Sequence, residues 1–309
     1  MEASDISTVE LAQTVSRLIR EAPENRLDDY DGQPIFEAPL IGVADGDDPL
    51  FERFREVVSP RHILPRDLLR RHSPRSTDLT KVAVVVWALP FSSRIRQSNR
   101  CQDWPSRLYS LARNNGGALN YVLRHRLTLI LKESGWAAVA PLLEAEYDAF
   151  RSSRHTFTSS WSERHVAYAA GLGQFGLSGC LITSLGVNVR IGSLVTNLPL
   201  EPTPRPYRTH RAPCLELGGK GCGACIERCP VGAISKDGLD KSKCYAMRDA
   251  VRERCMDSYT RDLHMLRVPI VKSGKRQHGY SLGCALCQCG VPCEGCFPWA
   301  APDGSEADA

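Results

Sequence analysis

Cys222-Gly-Ala-Cys225-Ile-Glu-Arg-Cys229-Pro230, continuing as Val231-Gly-Ala-Ile234, is the stretch on which the reading of this chain turns. The CxxCxxxCP spacing wraps a short loop around an iron–sulfur cube and then runs into a short helix. The last cysteine before the proline reaches out to a second cluster. Eleven of the thirteen cysteines lie between Cys214 and Cys296. A second group, Cys284-Ala-Leu-Cys287 with Cys293 beyond it, supplies what two cubes still need. Crossed ligation is the economical solution, because it places two [4Fe–4S] clusters close together and ties both loops into one small domain. Cys214, Cys222, Cys225 and Cys293 then hold one cluster, and Cys229, Cys244, Cys284 and Cys287 the other. Seven residues separate Cys214 from Cys222, where the usual run has two. Cys255, Cys289 and Cys296 are left over, and Cys289 and Cys296 compete with Cys293 for its place.

Other uses of cysteine fit less well. Structural zinc prefers two short CxxC knuckles and does not account for the CxxxCP continuation. Disulfides need an oxidising compartment. The N-terminus has no basic region followed by an apolar run, and Arg70-Arg71 is too deep for a twin-arginine signal. No apolar run reaches the length of a membrane span. The expectation is a cytoplasmic protein with no membrane contact.

A length of 309 residues allows two domains. The net charge of +4 is too small to argue for nucleic acid by itself. Its distribution is uneven, since Lys241 to Arg276 carries ten Lys and Arg against four Asp and Glu. That stretch reads as a solvated face, or as a docking surface for an acidic electron donor or an RNA backbone.

Residues 6–20 read as an amphipathic helix with Ile6, Val9, Val15, Leu18 and Ile19 on one side and Ser7-x-x-Glu10 as a capping box. Residues 21–49 read as an irregular arm, and 50–58 as helix. Lys81-Val-Ala-Val-Val-Val-Trp-Ala-Leu-Pro90 is the clearest strand, apolar enough for the middle of a sheet covered on both faces. Residues 105–134 read as helix broken at Gly116-Gly117, and 135–141 as a short strand. Ser162 to Ala170 reads as helix. Gly171-Leu-Gly-Gln-Phe-Gly176 follows a helix and not a strand, so it is no dinucleotide fingerprint. It is either a plain turn or a backbone passing close to a large flat cofactor. Leu181–Thr183 and Val189–Val195 read as a hairpin-like pair. Pro199, Pro202, Pro204 and Pro206 make a stiff linker. Four segments result: an N-terminal helical and irregular arm (1–80), an α/β cofactor-binding domain (81–200), a double-cluster domain (207–299) and a disordered tail (300–309).

Ser162-Glu163-Arg164, Ala169-Ala-Gly-Leu-Gly173, Phe175-Gly176, Leu181-Ile-Thr183, the run Gly192 to Pro202, the CGACIERCPVGAI run and Asp240 to Cys244 together resemble the epoxyqueuosine reductase family, with reductive dehalogenases as distant relatives. The likeness runs from about Val82 to the second cysteine group and is densest after Ser162. It is closest to a branch worded SSWSERHVAYAAGLG.

The resemblance implies an α+β, nitroreductase-like domain set against a ferredoxin-like domain with two [4Fe–4S] clusters. It further implies a base-off cobalamin between them, fed by an external ferredoxin or flavodoxin. The cofactor-facing residues are then Ser160, Trp161, Arg164, Gly171, Gly173 and Gly176. The substrate is a small molecule or a modified nucleoside, with tRNA a doubtful partner, because the family's helical-repeat extension for tRNA is absent. The family's aspartate acid aligns with Phe157, and no catalytic residue is assigned. Glu163 serves as a carboxylate only by turning inward; otherwise it favours the helix dipole. His155, His165 and His210 are either lower cobalt ligands or ordinary surface and core residues. Tyr168 is the residue to back as a proton donor, Trp161 and Tyr168 reading otherwise as core, and Cys180 as a small buried residue. Two other readings stand beside this one: an electron-transfer protein that activates a corrinoid enzyme, and a flavin in place of the corrinoid.

Overall fold

A computed structural model describes residues 6–27, 31–100, 103–152, 157–205, 209–211, 213–259, 268–272 and 275–298. His155, Pro206 and the tail expected at 300–309 lie outside these residues. Helix α1 (Thr8–Glu21) opens on the expected capping box, with Ser7 N donating to Glu10 Oε2 at 2.8 Å and Glu10 N to Ser7 Oγ at 3.2 Å. Its buried row is Leu11, Val15, Leu18 and Ile19, spaced i, i+4, i+7, i+8. Val9 is out of phase with that row and is 65% exposed, against expectation.

Strand β1 (Leu40–Asp45) lies inside the stretch expected to be irregular. Gly42 weakens its strand signal, yet packing demands it: a Cβ there would lie 2.5 Å from the Ala170 carbonyl oxygen. Helices α2 (Leu50–Val57) and α3 (Pro65–Arg71) lead to β2 (Ala83–Pro90), in which every residue is buried. After α4 (Ser93–Gln97) comes α5 (Arg107–Glu133), one continuous helix. The break expected at Gly116-Gly117 does not occur. Glycine costs a helix roughly 1 kcal/mol per position, and packing against neighbours outweighs it. A Cβ at Gly116 would lie 2.5 Å from the Phe36 ring, and one at Gly117 2.8 Å from Ser281 Cβ.

Short strands β3 (Ala138–Val139), β4 (Ala149–Phe150) and β5 (Thr158–Ser159) precede α6 (Glu163–Ala169). Strands β6 (Gly173–Phe175), β7 (Leu181–Thr183) and β8 (Val189–Thr196) follow. The hairpin-like pairing of β7 with β8 expected from the sequence does not form. β7 pairs with β6, placing Gln174 opposite Ile182, while β8 runs antiparallel along all of β2 and also pairs with β3. The main sheet therefore has the order β1-β2-β8-β3.

The side-chain alternation of β2 divides the core. Ala83, Val85, Trp87 and Leu89 pack with α1 and α5, and Val84, Val86 and Ala88 pack with α2, α3 and α6. Beyond the sheet lie α7 (Ala224–Glu227), β9 (Ile234–Ser235), β10 (Gly238–Leu239), α8 (Lys241–Tyr259) and the hairpin β11 (Val268–Lys272) with β12 (Lys275–Gly279). No helix among the described residues is long and apolar enough to cross a membrane.

Candidate cofactor cavity and cysteine centres

The cysteines gather in two sets. Burial pushes the Cys293 thiol up to about 12, and its neighbours Cys214 and Cys225 push the same way. Burial takes Cys225 up to about 11, helped by Cys214 and Cys222. In the other set, burial takes Cys284 up to about 11, with Cys244 and Cys229 as charged neighbours. Burial also raises Cys287, with Cys180, Cys284, Cys244 and Cys229 around it. The cysteines described here are free thiols. Each set offers several sulfur atoms that resist becoming thiolates on their own and gain most from a metal that takes up the charge. The Ala233 amide donates to Cys229 Sγ at 3.2 Å, a contact of the type that tunes iron–sulfur centres.

The leftover cysteines separate on environment. Cys255 is buried in the core beside Met247 and Val251. Cys289 is also buried, its sulfur accepting from Asn188 Nδ2 at 2.9 Å. Cys296 is exposed.

Polar anchors fix the second cysteine loop to the sheet. Asn188 Nδ2 donates to the Gln288 carbonyl at 3.2 Å, and Tyr109 Oη donates to Asn188 Oδ1 at 2.9 Å. The Val187 amide donates to the Cys293 carbonyl at 2.8 Å. Glu294, 7% exposed, is held by Arg96 at 3.4 Å and Arg100 at 3.0 Å, and accepts from the Gly290 amide at 2.7 Å. Ala285 takes a left-handed conformation with φ of 55°, which turns the chain between Cys284 and Cys287.

A cavity of about 1180 Å³ lies between the sheet side of the protein and the cysteine loops. Its walls include Asn120 and Arg124 of α5, Arg190 of β8, Tyr245 and Arg248 of α8, and Tyr280 to Leu282 with Gln288. Gln288 Nε2 donates to Cys180 Sγ at 3.1 Å, and Cys180, itself on the cavity wall, neighbours Cys287 of the second set. Glu163 turns inward. Its Oε1 accepts from Arg124 Nη2 at 2.8 Å and its Oε2 from Ser193 Oγ at 2.7 Å. Burial, with Glu163 nearby, pushes the Tyr147 phenol up to about 12, so this wall residue keeps its proton. Phe157 and Tyr245 stack face to face with centroids 3.6 Å apart, and Arg151 and Arg248 cover the outer faces of that pair.

Of the residues expected to face a cofactor, Arg164 lines the cavity and donates from Nη1 to the Gly179 carbonyl at 2.8 Å. Ser160, Trp161, Gly171, Gly173 and Gly176 do not line it. Ser160 is buried and bonds the Glu146 carbonyl and the Asp148 amide. Trp161 is core, stacked on His62 and Phe51, with Nε1 donating to Ser193 Oγ at 3.0 Å. The glycines serve close backbone packing instead, since a Cβ at Gly173 would lie 2.2 Å from the Ile182 carbonyl oxygen and one at Gly171 2.6 Å from that of Pro204. Gly176 lies against the Ile182 side chain.

Tyr168 packs near Phe175, away from the cavity, and His165 packs between Phe54 and Phe175. His210 is also off the wall, and among the described lining residues there is no histidine. The basic stretch is more than a solvated face, because Arg248 and Arg252 line the cavity. Arg190, Tyr147 and Gln288 escaped the sequence reading. Arg190 alone left a signal, as a charge inside the apolar run Val189–Val195.

Fold and site together define the class: a mixed α/β protein whose cavity abuts a double cysteine centre. No protein-family profile matches the chain. It is similar to the epoxyqueuosine reductase of Gloeobacter violaceus, at 27% identity over 227 residues, covering 72% of this chain and 60% of the relative. Similarity to that of Bacillus cereus is 27% over 228 residues, covering 73% and 52%. The chain is thus epoxyqueuosine reductase-like. It spans only half to three-fifths of the length of these relatives. Among solved structures, the epoxyqueuosine reductase of Streptococcus thermophilus aligns with a TM-score of 0.45 and 16% identity, covering 94% of this chain and 66% of that one. A selenomethionine-labelled epoxyqueuosine reductase gives 0.46 and 17%, covering 93% and 64%.

Proposed function

We propose that this chain is an iron–sulfur oxidoreductase with two [4Fe–4S] clusters and a base-off cobalamin in its cavity, acting on a small molecule or a modified nucleoside. Cys214, Cys222, Cys225 and Cys293 hold one cluster; Cys229, Cys244, Cys284 and Cys287 hold the other. The domain division at the 199–206 linker belongs to the same proposal. The observation that carries it is the shared wall, where Gln288, next in sequence to Cys287, lines the cavity and bonds Cys180.

The donor sets fit. Four thiols of one type, without disulfides, are what a cubane cluster requires. The cavity has the size of a large flat cofactor. When bound, the clusters supply one-electron transfer at low potential and the corrinoid supplies two-electron reduction. The protein's own part is electrical and steric. Cys222 is exposed, so the first set faces an external ferredoxin or flavodoxin, while the second set borders the cavity. Arg124 and Ser193 fix the Glu163 carboxylate, Tyr147 holds a proton on the same wall, and Phe157, which aligns without gaps with the family's aspartate, stacks on Tyr245.

Phe157 favours a second reading, an electron-transfer protein that reduces the cobalt of a partner. Anaerobic titration of the reconstituted chain with cob(II)alamin, read by electron paramagnetic resonance, separates the two. A base-off cobalt signal coupled to reduced clusters is expected. Full cluster signals with no cobalt binding would overturn the corrinoid assignment.

A further inference from the structure

Arg190 is the unanswered charge of the cavity. Its Nη2 donates to Ser281 Oγ at 2.7 Å, a neutral partner, and among the described residues it forms no ion pair. The charged groups facing it are Arg113, Arg124 and Arg248, all of its own sign, and the Tyr109 phenol. Burial, then Arg113 and Arg124, pull its guanidinium down to about 9. Arg124 is answered by Glu163, and Arg248 lies on the Tyr245 ring. Arg113 has a buried Nε without a partner, but it neighbours Cys284, where a cluster would meet its charge. In all, seven arginines and three carboxylates line the cavity.

The backbone makes room for these guanidinium groups. A Cβ at Gly117 would lie 3.0 Å from Arg190 Nη2, and one at Gly116 3.3 Å from Arg190 Cδ. A Cβ at Gly283 would lie 2.7 Å from Arg113 Nε. Two of these glycines sit in the middle of α5, where each weakens the helix. Their placement matches a wall shaped around fixed cations.

We infer that Arg190, flanked by Arg113, is an oxyanion anchor that takes the carboxylate or phosphate of a ligand in the cavity. A half-buried guanidinium surrounded by like charge is costly alone and strong when it meets an oxyanion through its planar fork. The anchor itself stands on the arginines; only the identity of its ligand rests on the reductase reading. Two sources share the chemistry, an anionic substrate and the phosphodiester of the cofactor's nucleotide loop.

The test uses the anaerobically reconstituted full chain, with iron and sulfide content confirming that each variant is loaded. Binding of inorganic phosphate at constant ionic strength is measured by calorimetry, and binding of cobalamin and of cobinamide, which lacks the nucleotide loop, by absorbance. Arg190→Met is expected to lose at least about tenfold in affinity for phosphate, equivalent to about 1.4 kcal/mol. Arg190→Lys, which keeps the charge without the fork, is expected to fall between, and it carries the test if Arg190→Met does not load. Loss of phosphate binding with both corrinoids unaffected assigns the anchor to substrate. A tenfold loss for cobalamin alone, with cobinamide unchanged, assigns it to the cofactor. Phosphate binding without any corrinoid binding upholds the anchor and removes the reductase reading. Variants that bind phosphate and both corrinoids as the wild type does, or a wild type that binds none of them, overturn the inference.

Discussion

Replacing Glu163 by Leu tests the cavity floor. The Glu163 side chain is 16% exposed and that of Arg124 8%, and they meet at 2.8 Å. Ser193 Oγ binds the other carboxylate oxygen at 2.7 Å and itself accepts from Trp161 Nε1 at 3.0 Å. In Glu163→Leu the guanidinium stays buried with no counter-charge, and Ser193 loses its acceptor. Breaking a buried pair from one side costs about 3–5 kcal/mol. For a chain of this size each kcal/mol lowers the melting temperature by about 2–4 °C, so a fall of about 6–20 °C follows. The double variant Arg124→Leu/Glu163→Leu removes both charges and regains most of the loss, because an apolar pair of similar volume does not carry the desolvation penalty. Thermal melts of the protein, run as a double-mutant cycle under one set of conditions, give the coupling. Additivity of the two single effects to within about 0.5 kcal/mol would refute the inward-turned ion pair.

Three further outcomes follow from local geometry. Burial pulls the buried His62 down to about 4, so the folded state resists a proton that the unfolded chain accepts near 6.5. Its contribution is complete above pH 6.5 and declines as pH falls, reaching a loss of roughly 3 kcal/mol by pH 4; a His62→Gln variant whose acid unfolding profile matches the wild type would count against this. Gly192→Ala would put a Cβ 2.5 Å from the Trp87 indole, whose Nε1 donates to Asn120 Oδ1 at 2.7 Å. A loss of about 1–3 kcal/mol and a shifted tryptophan emission are expected, and an unchanged spectrum speaks against the contact. Ala285→Gly relieves a left-handed φ of 55° and should raise stability by about 0.5–1 kcal/mol, read from the urea midpoint. A lower midpoint would mean that the Ala285 methyl packs usefully.

Legibility in the sequence followed the range of the forces involved. The capping box at Ser7 and the buried strand Ala83–Pro90 rest on neighbours in sequence, and both could be read directly. β1 could not, because Gly42 answers to Ala170, far along the chain. The continuity of α5 was hidden for the same reason, since Gly116 and Gly117 answer to Phe36, Arg190 and Ser281. The glycines from Gly171 to Gly176 looked like a cofactor surface and proved to serve a tight hairpin. Cys180 read as a small buried residue; it is buried, yet it also lines the cavity. Arg113, Arg190 and Arg248 come from three different elements, so no periodicity joins them into one wall.

The hydrogen bonds from Val187 to Cys293 and from Asn188 to Gln288 also set an order of events during synthesis. The sheet has all four of its strands once Thr196 has left the ribosome. The opposite wall of the cavity arrives only with Tyr280 to Gln288, so a nascent chain holds an open, arginine-bearing face throughout the interval. Loops that must meet across so long a separation close late. Closure of the cavity therefore falls at the end of chain assembly.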